Sequence, residues 1–312
     1  MNTMIEAAPL TADRGELTEE VLAGPADFDE FWRGLHAGAR EIEPGVRRVR
    51  ELSHEGGWRL SEVRFTSTGG LDLGAFLLEP DGGVERLVVA LPGYGGAGEP
   101  VDPLRRPGVA ELTLAPRGMP ALSEQTDIPN LAAEHVLHGI GSRETYVIGG
   151  CVQDVWVATT AAQRLFPEAT RIDLRGGSFG GGLGALALPW DDRFTAAALT
   201  VPTFGNHPAR LRTPCTGSGE SVRLLAQRDP GVIEVVRYFD AATAAARIQI
   251  PVLVGAARVD PAVPPVGQFA VYEALSGPAM LLELTAGHLE FDGVERERQT
   301  FHGATLGWLD LA

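Results

Sequence analysis

"RGGSFGGG", residues 175–182, sets a single serine, Ser178, among glycines directly after the short apolar stretch 169–174. Gly176-Gly177-Ser178-Phe179-Gly180 fits G-x-S-x-G, a pentapeptide that carries little meaning without its surroundings. Here the preceding run RIDLRG (171–176) reads as a strand, and residues 179–188 read as a helix. A strand–turn–helix of this kind forces the serine into a cramped backbone conformation that lifts its hydroxyl above a sheet, and flanking glycines relieve the crowding. The amides that open the helix point at the same spot and favour a developing negative charge.

The neighbouring elements extend this pattern. Short apolar runs at 86–93 (RLVVALPG), 109–115 (VAELTLA), 171–176, 194–202 (FTAAALTVP), 250–256 (IPVLVGA) and 279–285 (AMLLELT) alternate with helical stretches. The spacing predicts helices over 148–165, 179–188, 231–246 and 264–275, and a final amphipathic helix in RQTFHGATLGWLDL. Apolar strands separated by helices imply a parallel sheet covered on both faces, with functional loops at the carboxyl ends of the strands. Ahead of them, VRRVREL, WRLSEVRFTS and LDLGAFLLEP are divided by Gly56-Gly57 and Gly69-Gly70 and read as an antiparallel start to the sheet. Residues 27–42 carry Phe28, Phe31, Trp32 and Leu35 at helical spacing, with Asp27 placed to cap. No repeat or low-complexity linker divides the chain. The expected architecture is therefore a single α/β domain over residues 1–312, doubly wound and mostly parallel, with residues 1–45 as an N-terminal helical arm.

A nucleophilic serine needs a base, an acid to orient it, and an oxyanion site. Of seven histidines, His36, His54, His135 and His138 precede Ser178, whereas the α/β-hydrolase order is serine, acid, histidine. His207 falls in a proline-bounded loop, and His302 falls in the final helix, where a packing or surface role suits it. His288, in TAGHLEF directly after a strand, sits where a general base would hang. The preceding strand runs into Asp260-Pro261, so Asp260 can fix the imidazole tautomer and stabilise the imidazolium. The simpler alternative for Asp260 is an N-cap of the helix that follows. Glu290, two residues past His288, is an alternative acid with a salt-bridging role as its simpler reading. For the oxyanion, one amide comes from Phe179. The other comes from the loop LPGYGGAGE, with Tyr94 as donor, unless that segment is only a tight turn.

Composition excludes several other chemistries. All 26 basic residues are arginine; without lysine there is no Schiff-base lysine, pyridoxal-phosphate anchor or P-loop lysine. Cys151 and Cys215 form no CxxC pair, so neither a disulfide framework nor a structural zinc site is expected. A net charge of −15 disfavours nucleic acid and anionic membrane surfaces. No apolar run reaches the ~18 residues of a spanning helix. The acidic N-terminal stretch lacks the apolar core of a secretory signal, and a cytoplasmic location is expected. No metal or organic cofactor is implied, and the partner is a small-molecule ester.

Taken together, these segments resemble the acetyl xylan esterase and cephalosporin C deacetylase group, the family 7 carbohydrate esterases of the α/β-hydrolase fold. DFDEFW is similar to that family's first helix, PGYGG to its HGYGG loop, APRGMP to its RGQ motif and GGSFGGG to its GGSQGG. HGIGSRETYVIGGCVQD resembles the segment before the serine turn, VDPAVPP the D-x-x-x-P-P loop, and GHLEF the terminal His-Glu motif. The resemblance covers nearly the whole chain. It implies the triad Ser178, Asp260 and His288, oxyanion donors Tyr94 and Phe179, and a substrate pocket touched by Pro92, Arg117 and Met119. It also implies a homo-oligomer, commonly a hexamer.

The departures fall around the expected pocket. Pro92 stands for the family's histidine, Met119 for the glutamine of RGQ and Phe179 for the glutamine after the serine, and the family's tyrosine run is reduced to Tyr146. Each replaces a polar group with an apolar one. The expectation is a serine esterase for short-acyl, acetyl-type esters of a sugar or small metabolite, with a preference displaced toward hydrophobic alcohols. Two alternatives remain open at this level. One is a hydrolase or acyltransferase acting on a lactone, thioester or specialised-metabolite ester; the other is a non-catalytic binding relative of the fold.

Overall fold

The structure is a computed structural model that describes residues 16–95, 100 and 103–311. Residues 1–15 of the expected arm, and residues 96–99 of the glycine-rich loop, lie outside the described residues. The chain opens with helices α1 (Glu19–Ala23) and α2 (Phe28–Arg40), then strands β1 (Arg47–Glu55), β2 (Trp58–Thr66), β3 (Asp72–Pro80), β4 (Arg86–Leu91) and β5 (Val109–Leu114). Helices α3 (Ala132–His135) and α4 (Val147–Leu165) lead to β6 (Arg171–Gly177), α5 (Phe179–Ala187) and β7 (Phe194–Thr200). Four short helices follow: α6 (His207–Arg210), α7 (Gly219–Arg228), α8 (Gly231–Val236) and α9 (Ala241–Ala245). The chain closes with β8 (Val252–Val259), α10 (Pro265–Ala274), β9 (Ala279–Ala286) and α11 (Val294–Leu311).

Among the described residues the nine strands form one sheet in the order β1-β2-β3-β5-β4-β6-β7-β8-β9. Pairings β1–β2, β2–β3 and β3–β5 are antiparallel, and every pairing from β5 through β9 is parallel. This is the mostly parallel α/β sheet with an antiparallel N-terminal start that the pattern of apolar runs implied. Crossover helices bury the central strands from one side; Leu87, Val89, Leu112, Leu174, Leu199, Val252 and Val254 all join the principal core against them. The first aromatic helix packs inward. Trp32 is fully buried, its Nε1–H donates to the Tyr238 carbonyl (2.8 Å), and its ring meets Trp156 and Phe239 edge-on.

Three local expectations give way. Asp27 makes no capping bond to α2; its carboxylate instead accepts from the Tyr238 hydroxyl and from Arg143 (2.7 Å). The single helix expected over 231–246 is broken between α8 and α9 by a 3₁₀ turn and Asp240. The Asp240 carboxylate caps α9 through Ala242 N (2.9 Å) and also accepts from the amides of Asn206 (3.0 Å) and His207 (2.6 Å). A side chain claimed by so many amides holds the chain out of helical register. His207 is the first residue of α6 rather than a loop residue, and burial pushes its pKa down to about 3.

Candidate active site

Ser178 occupies the junction between β6 and α5 with φ 53° and ψ −115°, outside the conformations that a side-chain-bearing residue adopts freely. The flanking glycines are required by contact. A Cβ on Gly176 would lie 2.5 Å from the Gly180 carbonyl oxygen, and one on Gly180 would strike the Leu91 carbonyl. Backbone bonds fix the turn from both sides: Ser178 N–H donates to Thr200 O (2.8 Å), and Ser178 O accepts from Thr203 N–H (3.1 Å).

From the other end of the sheet, His288 brings its ring to the serine. Ser178 Oγ lies 3.0 Å from His288 Nε2, and His288 Nδ1 lies 2.8 Å from Asp260 Oδ2. A carboxylate can only accept, so Nδ1–H donates to Asp260, and Nε2 is left to accept from the Ser178 hydroxyl. That is the tautomer required of a general base. The hydrogen bond to Asp260 raises the His288 pKa above its ordinary value, against a smaller opposing effect of burial. His288 also has a positive φ of 50°, and a Cβ on the preceding Gly287 would collide with Asp260 Oδ2. Glycine at 287 is what lets the histidine loop close on the acid.

Asp260 is buried and carries more bonds than the histidine's alone. Oδ1 accepts from Ala262 N–H and Val263 N–H, both at 2.9 Å, and Oδ2 accepts from Gln268 Nε2 at 2.9 Å. Asp260 therefore does not cap α10, whose N-cap is Pro264; it tethers the turn before that helix while facing His288. Gln268, fully buried, also accepts from Ala257 N–H (2.7 Å) and ties the acid back to β8. Sequence reasoning missed it, although a lone polar side chain in the apolar stretch GQFAV was the available signal. Glu290 is exposed and pairs with Arg298 at 3.2 Å, away from the histidine's acid.

Opposite the histidine, the loop after β4 passes close to the serine; a Cβ on Gly93 would lie 3.3 Å from Ser178 Cβ. Phe179 is the first residue of α5, so its N–H has no acceptor within the helix. The rings of Tyr94 and Phe179 stack with centroids 4.0 Å apart and 18° between planes. Tyr94 Oη lies 2.9 Å from His135 Nδ1, and His135 Nε2 lies 2.9 Å from the Arg117 carbonyl. Because that carbonyl can only accept, Nε2–H donates to it and the Tyr94 hydroxyl donates to Nδ1. Burial lowers the His135 pKa, which favours the neutral ring this relay needs.

Arg117 is itself fixed. Asp154 accepts from its Nε (2.9 Å) and Nη2 (2.6 Å), and Thr68 Oγ1 from Nη2 (2.7 Å). Its guanidinium occupies the space where a Cβ on Gly150 would stand. These contacts correct the expected pocket. Arg117 is a buttress behind Tyr94, because a buried carboxylate claims its fork. Met119 is buried in the principal core, and the Phe179 side chain is equally buried, so neither offers an apolar surface to a ligand. Pro92 does line a cavity of about 450 Å³ beside the triad, together with Gly93, His288 and, from α11, Phe301 and His302. His302, expected in a surface or packing role, lies in α11 on the wall of this cavity.

The serine–aspartate–histidine order, the strained turn and the sheet topology meet in one further observation: the acetyl xylan esterase family model matches residues 18–299. The chain belongs to the acetyl xylan esterase family. Membership makes it a carboxylic ester hydrolase. Its fold is similar to that of an acetyl xylan esterase from Paenibacillus sp. R4, at 23% identity and TM-score 0.79 over 95% of this chain and 98% of that one. Acetyl xylan esterase 1 from Thermoanaerobacterium sp. JW/SL YS485 is 20% identical with TM-score 0.75, over 92% of this chain and 98% of its own. A Pyrococcus horikoshii acylaminoacyl peptidase matches at 17% identity and TM-score 0.62, over 82% of this chain and 42% of that one. Among the described residues, no helix is long and apolar enough to cross a membrane.

Proposed function

We propose that this member of the family is a serine esterase that cleaves short-acyl, acetyl-type esters of a sugar or small metabolite through an acyl-enzyme. The observation that carries the reading is the continuous hydrogen-bond chain from Ser178 Oγ through His288 to Asp260 Oδ2. Ser178 Oγ forms the new bond to the ester carbonyl carbon while its proton passes to His288 Nε2. The carbonyl oxygen, now carrying the negative charge, is received by the amides of Tyr94 and Phe179. Collapse breaks the bond to the alcohol oxygen, which takes the proton from His288. Water then repeats the sequence on the acyl-serine, its proton going to His288 and from there back to Ser178. Asp260 holds the imidazole in the working tautomer and stabilises its charged form.

A fluorophosphonate probe should label the protein at Ser178 and abolish hydrolysis of 4-nitrophenyl acetate. Ser178→Ala should remove both, with a loss of turnover on the order of 10⁴-fold or more in a folded protein. A Ser178→Ala variant that keeps a tenth of the activity would end the proposal. The proposal extends to a homo-oligomer located in the cytoplasm, supported by the family resemblance and by the composition. Light scattering at micromolar concentration checks the assembly, and a mass equal to the 33.1 kDa of one chain would exclude it.

A further inference from the structure

The order of the triad leaves His135 without a part as the base, yet it is fully buried at the end of α3, in a polar chain that reaches the oxyanion loop. Its Nδ1 accepts from the Tyr94 hydroxyl at 2.9 Å, and its Nε2–H donates to the Arg117 carbonyl at 2.9 Å. The ring is boxed in. A Cβ on Gly118, where φ is +80°, would lie 2.7 Å from His135 Cδ2, and the Phe179 ring meets it edge-on with centroids 6.0 Å apart. Behind it, Asp154 accepts from the Arg117 backbone N–H (3.0 Å) as well as from the guanidinium, and Ser67 Oγ donates to it at 2.6 Å. Asp154 is itself buried in α4. The contacts therefore run unbroken from a long helix to the tip of one side chain in the loop after β4.

Stacking alone does not fix that loop. A ring lying on Phe179, 18° from parallel, is held at a set height but can slide in its own plane. The hydroxyl bond to His135 supplies the missing restraint, because it pins the far end of the ring within that plane. Tyr94 stands between Gly93 and Gly95, residues that restrain the backbone least. Its own N–H finds no acceptor among the described residues, as an amide kept for an oxyanion requires. The position of that amide is thus set from the side chain. A neutral His135 provides the acceptor, and burial lowers its pKa, which keeps the ring neutral near pH 7.

We propose that His135 is a positioning residue for ester cleavage: by accepting the Tyr94 hydroxyl it sets where the Tyr94 amide meets the oxyanion, a role that rests on the esterase reading above. Acylation and deacylation both pass through an oxyanion, so a displaced amide slows both and leaves substrate binding alone. Tyr94→Phe keeps the stacked ring and loses only the hydroxyl. With 4-nitrophenyl acetate its kcat falls about tenfold while KM stays within about twofold. His135→Leu lowers kcat by about 10- to 100-fold, again at constant KM, which is less than the loss of an oxyanion donor outright. His135→Asn brings an amide oxygen near the place of Nδ1 and recovers at least about fivefold of that loss. Because Tyr94→Phe and His135→Leu cut the same bond, the double variant is no slower than His135→Leu alone.

Circular dichroism and thermal melts check the fold of each variant. If His135→Leu does not fold, Tyr94→Phe, which removes a single oxygen atom, still decides. Unchanged kcat in folded Tyr94→Phe overturns the proposal, and so does a raised KM at constant kcat. Losses that multiply in the double variant overturn it too, since the shared hydrogen bond would not be their cause. In each of these cases labelling of Ser178 by the fluorophosphonate, run to completion, shows the esterase reading intact. A wild type that neither hydrolyses the acetate nor takes the label strikes that reading instead.

Discussion

On one side of Ser178, His288, the proposed base, is held by charge and hydrogen bonds; on the other, Tyr94 and Phe179, the proposed oxyanion donors, are held by stacked rings. His288 is tied to Asp260, and Asp260 is tied by two backbone amides and Gln268 to the start of α10. Tyr94 lies flat on Phe179, with His135, Arg117 and Asp154 behind it in a buried relay. The two sides answer different demands. A base must shuttle a proton, so its tether has to favour one tautomer and tolerate a charged ring. An oxyanion donor only has to be in place before charge develops, and packing does that with no proton passed along its support. The two supports should therefore fail in different ways.

Asp260→Asn gives the largest expected effect. The amide can present its own N–H to His288 Nδ1, which reverses the tautomer and takes the acceptor away from Nε2. Turnover of 4-nitrophenyl acetate should fall on the order of 10⁴-fold. The matching Glu290→Gln should stay close to wild type, because Glu290 only pairs with exposed Arg298. A crippled Glu290→Gln beside a mild Asp260→Asn would reverse the assignment of the acid.

Phe179→Gln attacks the other side and restores the polar residue found in similar sequences. Had Phe179 faced the ligand, this change would shift preference back toward acetylated sugars. Its ring is buried under Tyr94, so the expected outcome is different. Rates for an acetylated xylo-oligosaccharide and for a small aromatic acetate should fall together, by about 10- to 100-fold. That remains below the cost of losing an oxyanion donor outright. The ratio of the two kcat/KM values should not move. A changed ratio with unchanged kcat would place the side chain in the ligand site after all.

The contrast also separates what the sequence displayed from what it hid. Ser178, Asp260 and His288 were legible because each follows an apolar strand, in an order that only a few arrangements allow. The strands themselves were legible for the same reason, and each was found within a few residues of its expected bounds. Side-chain direction was not legible. Arg117 and Met119 lie in a motif near the site, yet Asp154 draws the arginine backward and the core takes the methionine. The break at Asp240 was hidden because two of its partners, the amides of Asn206 and His207, are more than thirty residues away. The cavity did leave a trace. Of the polar residues at alternate positions of otherwise apolar strands, Thr113 and Arg175 line it, whereas Glu111 and Asp173 are buried in ion pairs with Arg175 and Arg86.

The smallest expected effect concerns protons and belongs to the histidine side alone. His288 must be neutral to accept from Ser178, so kcat/KM should rise with pH by about tenfold per unit and then level off. Because the bond to Asp260 raises its pKa, the bend should lie above the ordinary histidine value of 6.5. Linkage to folding runs the opposite way. The protonated imidazole is favoured in the folded protein, so its stabilising contribution is fully present below about 6.5 and is lost as pH rises through the raised value. The enzyme should thus work best where this contribution is gone. The residual activity of Asp260→Asn should bend at lower pH than wild type, because the cause of the shift has been removed. Phe179→Gln should bend where wild type does, since it leaves the bond from His288 to Asp260 that raises the pKa in place. A pH–rate profile of the three proteins decides it, and an unmoved bend in Asp260→Asn would detach the ionisation from His288.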